Sequence, residues 1–265
     1  MQSDYVGVLD SGIGGISLLL KLNKLTSNKT VFYYSDSQNL PYGNKGASEL
    51  YELAVEGVLT LKACGVSVIF IACNTLSAVV FSALKERFAD ITFYGVFPPI
   101  EKVVMEGVRP LLLCTVATAK AYSDCEVDLL PFRNLAKDIE GSFNFNSINL
   151  EEHLQEAMRE RAKTCFDHET SVLTTKKPPF NLNNNFYQKR VVILGCTHYF
   201  FIKNLIIDHF QPQKILDGSD FAVSKFIKEN KEIKTLDYYK RNKILFVGKD
   251  SKKNLNFYNK RSLIK

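Results

Sequence analysis

Short apolar runs alternate with longer amphipathic stretches along most of this chain, and that alternation restricts the fold more than any single residue does. Tyr5–Leu9, Thr30–Tyr34, Ser67–Ala72, Thr92–Val96, Leu111–Thr115, Arg190–Leu194 and Lys243–Val247 are rich in Val, Ile, Leu and aromatic residues. Near-continuous apolar runs of this length mark strands buried on both faces. Between them, Ile16–Leu25, Ala47–Cys64, Leu76–Phe88 and Glu151–Lys163 space their apolar residues three and four apart. Leu50, Leu53, Ala54, Gly57, Val58 and Leu61 illustrate the pattern, which gives a helix one face to lay on a sheet. Strand-helix alternation predicts an α/β fold with a mainly parallel sheet, and the length allows two doubly wound units.

Paired prolines at Phe97-Pro98-Pro99 oppose continuation of strand or helix and mark one break. A second break is expected around Gln211-Pro212, returning the C-terminal segment to the first unit. The expected division is 1–97 with 211–265 as a discontinuous N-terminal domain and 98–210 as the second. Cys165–Gln188, with its Lys-Lys-Pro-Pro and Asn-Asn-Asn runs, reads as a long polar surface loop, and the basic tail after Lys249 reads as frayed or as a short helix.

The chain has 265 residues, 46% of them hydrophobic and 23% charged. No run approaches the roughly 18–20 apolar residues needed to cross a bilayer. The first residues lack a basic segment followed by an apolar one, so a soluble cytoplasmic protein without a membrane partner is expected. The net charge of +6 suits an acidic substrate. Its Lys and Arg are spread out and no recognition motif accompanies them, so no specific nucleic-acid partner is expected.

Six cysteines, at 64, 73, 114, 125, 165 and 196, lack the short paired spacing of zinc or redox motifs. Most read as small core hydrophobes. Cys73 and Cys196 differ, because their surroundings resemble one another. Val68-Ile69-Phe70-Ile71-Ala72-Cys73-Asn74-Thr75 and Val191-Val192-Ile193-Leu194-Gly195-Cys196-Thr197-His198 each run from an apolar strand through a small residue and a Cys into polar residues, then a helical pattern. Ligands of open α/β sheets sit outside the carboxyl ends of strands, where both thiols would emerge. A Cys at such a turn faces free backbone N–H groups and the positive end of a helix, which is expected to favour thiolate.

Paired thiols suit inversion at a carbon acid. One group removes a proton from one face while the other returns a proton to the opposite face, and each ends in the other's starting form. The α-proton beside a carboxylate is weakly acidic, so the site must also stabilise developing charge and exclude water. Leu9-Asp10-Ser11-Gly12-Ile13-Gly14-Gly15 follows a strand and precedes a helix; its spacing is neither GxGxxG nor a Walker loop. Asp10 reads as a helix-capping carboxylate or as a partner of the substrate ammonium or of Cys73. Leu40-Pro41-Tyr42-Gly43 reads as a surface turn or as a carboxylate-binding loop. His198, two residues past Cys196, reads as a packed ring or an acid/base helper.

Together these segments resemble the glutamate racemase family of the aspartate/glutamate racemase superfamily. The carrying motifs are Asp10-Ser11-Gly12-Ile13-Gly14-Gly15, Pro41-Tyr42-Gly43, Ala72-Cys73-Asn74-Thr75, Thr115-Val116-Ala117-Thr118 and Leu194-Gly195-Cys196-Thr197-His198-Tyr199, in the family's order. The resemblance implies two similar α/β domains with the active site between them. It also implies L-/D-glutamate interconversion without pyridoxal phosphate, metal or other cofactor, and a homodimer supplying D-glutamate for peptidoglycan. It places the catalytic cysteines at Cys73 and Cys196, their helpers at Asp10 and His198, and substrate contacts at Ser11, Tyr42, Gly43, Asn74, Thr75, Thr118 and Thr197. The family's assignment would give Cys73 the D-enantiomer and Cys196 the L-enantiomer. Departures are Phe200, where the family has Pro, and Leu130–Glu140, where its glutamate helper does not align; Asp138 and Glu140 are both candidates. Racemisation of aspartate or a hydantoin, a non-catalytic binding protein and a Cys-dependent hydrolase are the rival readings; the last leaves the second thiol unexplained.

Overall fold

In the computed structural model, residues 5–25, 29–142, 144–166, 190–230 and 242–262 are described. The first unit runs β1 (Tyr5–Asp10), α1 (Ile16–Leu25), β2 (Thr30–Ser35), α2 (Ala47–Ala63), β3 (Val68–Ile71), α3 (Asn74–Arg87) and β4 (Thr92–Gly95). After α4 (Ile100–Met105) come β5 (Leu111–Thr115), α5 (Val116–Ala121), β6 (Asp128–Phe132), α6 (Leu135–Gly141), α7 (Leu150–Phe166) and β7 (Val191–Gly195). A 3-10 turn at Thr197–Ile202 leads into α8 (Lys203–Phe210), followed by β8 (Lys214–Asp217), α9 (Gly218–Glu229), β9 (Lys243–Val247) and α10 (Ser251–Ser262).

Two all-parallel sheets result, ordered β4-β3-β1-β2-β9 and β6-β5-β7-β8. This is the expected α/β class. The central strands are buried along nearly their whole length, as both-face coverage requires. In α2 the buried positions are Leu50, Ala54, Gly57, Val58 and Leu61, one stripe facing β1 and β2; Leu53 is only half-buried. One hydrophobic cluster runs from Val8 and Phe70 of the first sheet to Leu111, Leu113 and Val192 of the second, so the two sheets share apolar packing.

The expected return to the first sheet at residue 211 comes later. Gln211 ends α8 in the left-handed region, at φ 42°, so a break does fall there. The next strand, β8, nevertheless pairs with β7, with Leu194 opposite Asp217. Hydrogen-bonding capacity left on the open edge of β7 accounts for that capture. The chain rejoins the first sheet only at β9, which pairs with β2. Most of the Cys165–Gln188 loop lies outside the described residues. The basic tail forms α10.

The sheets place the chemistry by the same rule. In the first, β2 lies on one side of β1 and β3 on the other; in the second, β6 and β7 flank β5 likewise. Each is a topological switch point, where loops diverge and leave a crevice at the strands' carboxyl ends. Cys73 follows β3 and Cys196 follows β7, so the two thiols occupy corresponding corners.

Candidate active site

Cys73 is the N-cap of α3 and Cys196 the N-cap of the 3-10 turn. Both are buried, as are Asp10, Ser11, Tyr42, Gly43, Asn74, Thr75, Thr118, Thr197 and His198. The Cys73 thiol donates to Ser11 Oγ at 3.8 Å. Cys196 Sγ lies 3.9 Å from His198 Nδ1. The two corners touch across the units through Thr197, whose hydroxyl donates to Asp10 Oδ1 at 3.3 Å. Gly14 makes that approach possible: a Cβ there would stand 2.1 Å from Thr197 Oγ1 and 2.8 Å from His198 Nδ1. Gly43 plays the same part opposite Thr115, 2.3 Å from that residue's Cβ. These glycines admit side chains of the second unit.

Asp10 is fully buried and its carboxylate accepts from the N–H groups of Gly15 (2.9 Å) and Gly12 (3.3 Å). It thus fastens the glycine turn ahead of α1 rather than capping the helix itself, while also meeting Thr197. Burial pushes its carboxyl up to about 6, against the pull of His198 and of those two N–H groups. The Cys73 thiol is pushed up to about 12, first by burial and then by Asp10's charge. This corrects the expectation of a thiolate there: the N–H of Leu76 favours the anion, but desolvation is larger. The charge of Cys196 adds to the same effect, so the two sulfurs sense one another.

Of the two acidic candidates on α6, Glu140 joins the cluster. Its Oε2 accepts from His198 Nε2 at 2.9 Å and from the Ile13 N–H at 2.8 Å. Its Oε1 accepts from Ser37 Oγ at 2.6 Å and Lys253 Nζ at 2.7 Å. Burial opposes its ionisation, yet the hydrogen bond and charge of His198, helped by Ile13 and Lys253, hold the carboxyl down at about 2. Burial likewise favours a neutral His198 ring, but its bonds to Cys196 and Glu140 outweigh that and raise it to about 10. Near neutrality the site therefore holds a carboxylate, an imidazolium and a Cys73 thiol. Asp138 faces outward and pairs with His153 Nε2 at 3.1 Å.

The remaining predicted residues divide. Thr75, Thr115 and Thr118 form a buried hydroxyl triangle with edges of 2.9, 3.0 and 3.3 Å. Tyr42 donates its hydroxyl to Asp36 Oδ2 at 2.9 Å, and Asn74 spends its amide on the Val96 carbonyl at 3.1 Å. Asp36, Ser37, Thr115 and Lys253 belong to the cluster without having been selected from sequence. Asp36 and Ser37 had a readable signal, since they are polar residues directly after β2, where Asp36 follows Ser35 as Ser11 follows its register partner Asp10. Among the described residues no group of His, Cys, Asp and Glu is arranged to hold a metal ion. A cavity of about 660 Å³ lined by Phe97, Pro98, Phe221 and their neighbours includes none of these site residues. No helix of the described residues is long and apolar enough to cross a membrane.

No family model matches the chain. It is similar to a curated glutamate racemase from Leptospira interrogans, with 29% identity over 224 residues, 84% of this chain and 81% of the relative. It is also similar in fold to the crystal structure of glutamate racemase from Campylobacter jejuni, with TM-score 0.69, 23% identity and 96% of both chains covered. A third likeness is to the Francisella tularensis glutamate racemase in complex with D-glutamate, with TM-score 0.66, 24% identity and coverage of 97% and 95%.

Proposed function

We propose that this chain, an isomerase belonging to the glutamate racemase family, interconverts L- and D-glutamate by proton transfer at Cα between two cysteines. The observation that carries the reading is the matched placement of Cys73 and Cys196 at the switch points of two sheets, with Asp10 and His198 bonded into the same cluster. Cys73, held as a thiol, supplies a proton. Cys196 accepts one, with the His198–Glu140 pair exchanging charge behind it.

On this reading Cys196 deprotonates L-glutamate and Cys73 protonates the opposite face; the reverse reaction exchanges their roles. Ser11, Asn74, Thr75, Thr118, Thr197 and the N–H groups around Tyr42 and Gly43 hold the substrate's carboxylates and ammonium. Those donors offset charge developing on the α-carboxylate, and the burial of the site strengthens each contact. Substrate entry needs the units to part at the Thr197–Asp10 contact and close again, which excludes water. The chain acts without a cofactor, as a homodimer in the cytoplasm, and its D-glutamate serves peptidoglycan synthesis. Residues 1–97 with the C-terminal segment form one domain and residues from 98 through the second sheet form the other.

Circular dichroism of purified protein with either enantiomer of glutamate tests the activity. The reading expects the optical signal to decay to zero from both sides. A stable signal with glutamate, alongside decay with aspartate or a hydantoin, would transfer the mechanism to another substrate.

A further inference from the structure

The C-terminal helix reaches the acid/base pair. Asp250, just ahead of α10, accepts from the Ser37 N–H at 2.6 Å, and Asn254 on the next turn donates to Ser35 Oγ at 2.5 Å. These two bonds fix the start of α10 against the end of β2. Between them lies Lys253, whose Nζ is 2.7 Å from Glu140 Oε1 while its side chain is 48% exposed and that of Glu140 only 7%. Ser37 Oγ shares the same oxygen. One carboxylate oxygen is thereby occupied by donors of the first unit, and the other is turned to His198 and Ile13.

We infer that Lys253 is a positioning residue for the Glu140–His198 pair: it pins Oε1, leaves Oε2 to the imidazole, and through its charge loosens the imidazolium's hold on its proton. A carboxylate whose full charge faced His198 alone would trap the ring in its charged form and slow its exchange with Cys196. A cation on the far oxygen withdraws part of that charge. The sign follows from Coulomb's law: removing a positive charge raises the proton affinity of every nearby group. Among the described residues, the other titratable groups that interact with the pair are Asp10 from β1, Tyr33 from β2 and Cys196 from the end of β7. All stay in place when Lys253 is changed. The inference rests on the reading of His198 as the proton partner of Cys196.

The test is an NMR titration of the His198 imidazole nitrogens in the unaltered protein and in Lys253→Gln, Lys253→Met and Lys253→Arg, with His198→Asn to assign the resonance. The His198 midpoint should rise by about 0.5–1 pH unit in the Gln and Met variants and stay put in the Arg variant. The alkaline limb of kcat/KM should move the same way, with kcat falling more than KM rises. A residue that only tethered α10 would lower the melting temperature without moving the midpoint. An unchanged or lowered midpoint in the folded Gln variant would overturn the inference, and Lys253→Met provides the same reading if Gln unfolds. Absence of glutamate racemisation in the unaltered protein would instead overturn the proposed function, leaving the titration readable.

Discussion

Replacing Glu140 by Gln keeps the shape of the side chain and removes its charge, so it isolates what the carboxylate contributes. Glu140 accepts from Ile13 and His198 on one oxygen and from Ser37 and Lys253 on the other. A glutamine retains one acceptor. With its oxygen kept on Ile13 and His198, its NH2 group meets Ser37, which can rotate to accept, and Lys253, which can turn to water. What disappears is the charge at two charge-assisted bonds, worth about 1.5–3 kcal/mol each. His198 limits the loss, because its ring can discharge rather than remain an unpaired buried cation. Its proton affinity is raised from 6.5 to about 10, so at pH 7 the ring's contribution is at most about 4 kcal/mol. Since Cys196 shares that contribution, the expected destabilisation is about 3 kcal/mol.

The pH dependence is sharper than the magnitude. His198 has a raised folded value, so its contribution is complete below pH 6.5 and disappears as pH climbs through about 10. Glu140 has a depressed one, so its contribution is present above 4.5 and disappears as pH falls through about 2. The gap between the unaltered protein and Glu140→Gln should therefore be widest between pH 4.5 and 6.5 and close on either side. Urea unfolding of both proteins from pH 2 to 10 measures it. A gap that is constant with pH, or that widens above pH 8, would refute an ionic Glu140–His198 pair.

Cys73→Ser and Cys196→Ser should each lower racemisation by at least about 10³-fold, because in the proposed mechanism each removes the acid/base group of one face; a polarimetric assay with either enantiomer checks this, and near-full activity in either removes that thiol from the mechanism. Enantiomers are equally stable in water, so every variant must lose kcat/KM by the same factor in both directions; asymmetry is expected only in kcat and KM separately, which initial rates from each enantiomer reveal. Gly14→Ala places a Cβ 2.1 Å from Thr197 Oγ1 and should cost about 1–3 kcal/mol in urea unfolding while lowering activity, since the Thr197–Asp10 contact cannot form unshifted. Asp138→Asn, altering only an exposed partner of His153, should change stability by about 0.5 kcal/mol or less and leave turnover intact.

The strands most legible in the sequence are those with neighbours on both sides. β1, β3, β5 and β7 are nearly pure Val, Ile, Leu and aromatic runs because helices or the other unit cover both faces. The elements that periodicity missed are the edge strands β6 and β8, short helices such as α4, α5 and α6, and the 12-residue α9. β6 contains Pro131, which a sheet tolerates only at an edge, and β6 is an edge. β8 is four residues long, too short to show a period. The two cysteine corners were legible because each carries its strand, small residue and polar turn within a single segment. The choice between Asp138 and Glu140 was not. Residues two apart on a helix point about 200° away from each other, and only the packing of α6 decides which faces inward. Lys253 left no trace either, since its bond to Glu140 spans 113 residues and exists only once α10 has folded against β2.

The central claim is that two different groups handle the α-proton. It is tested most directly by following the α-hydrogen in D2O from a single enantiomer and analysing both enantiomers within the first few per cent of reaction. Two cysteines on opposite faces predict deuterium in the newly formed enantiomer from the outset, because its proton comes from a thiol equilibrated with solvent, while unreacted substrate stays protiated. Product that retains its original hydrogen, or deuterium entering the recovered substrate as fast as the product, would mean one group serving both faces and would contradict the account.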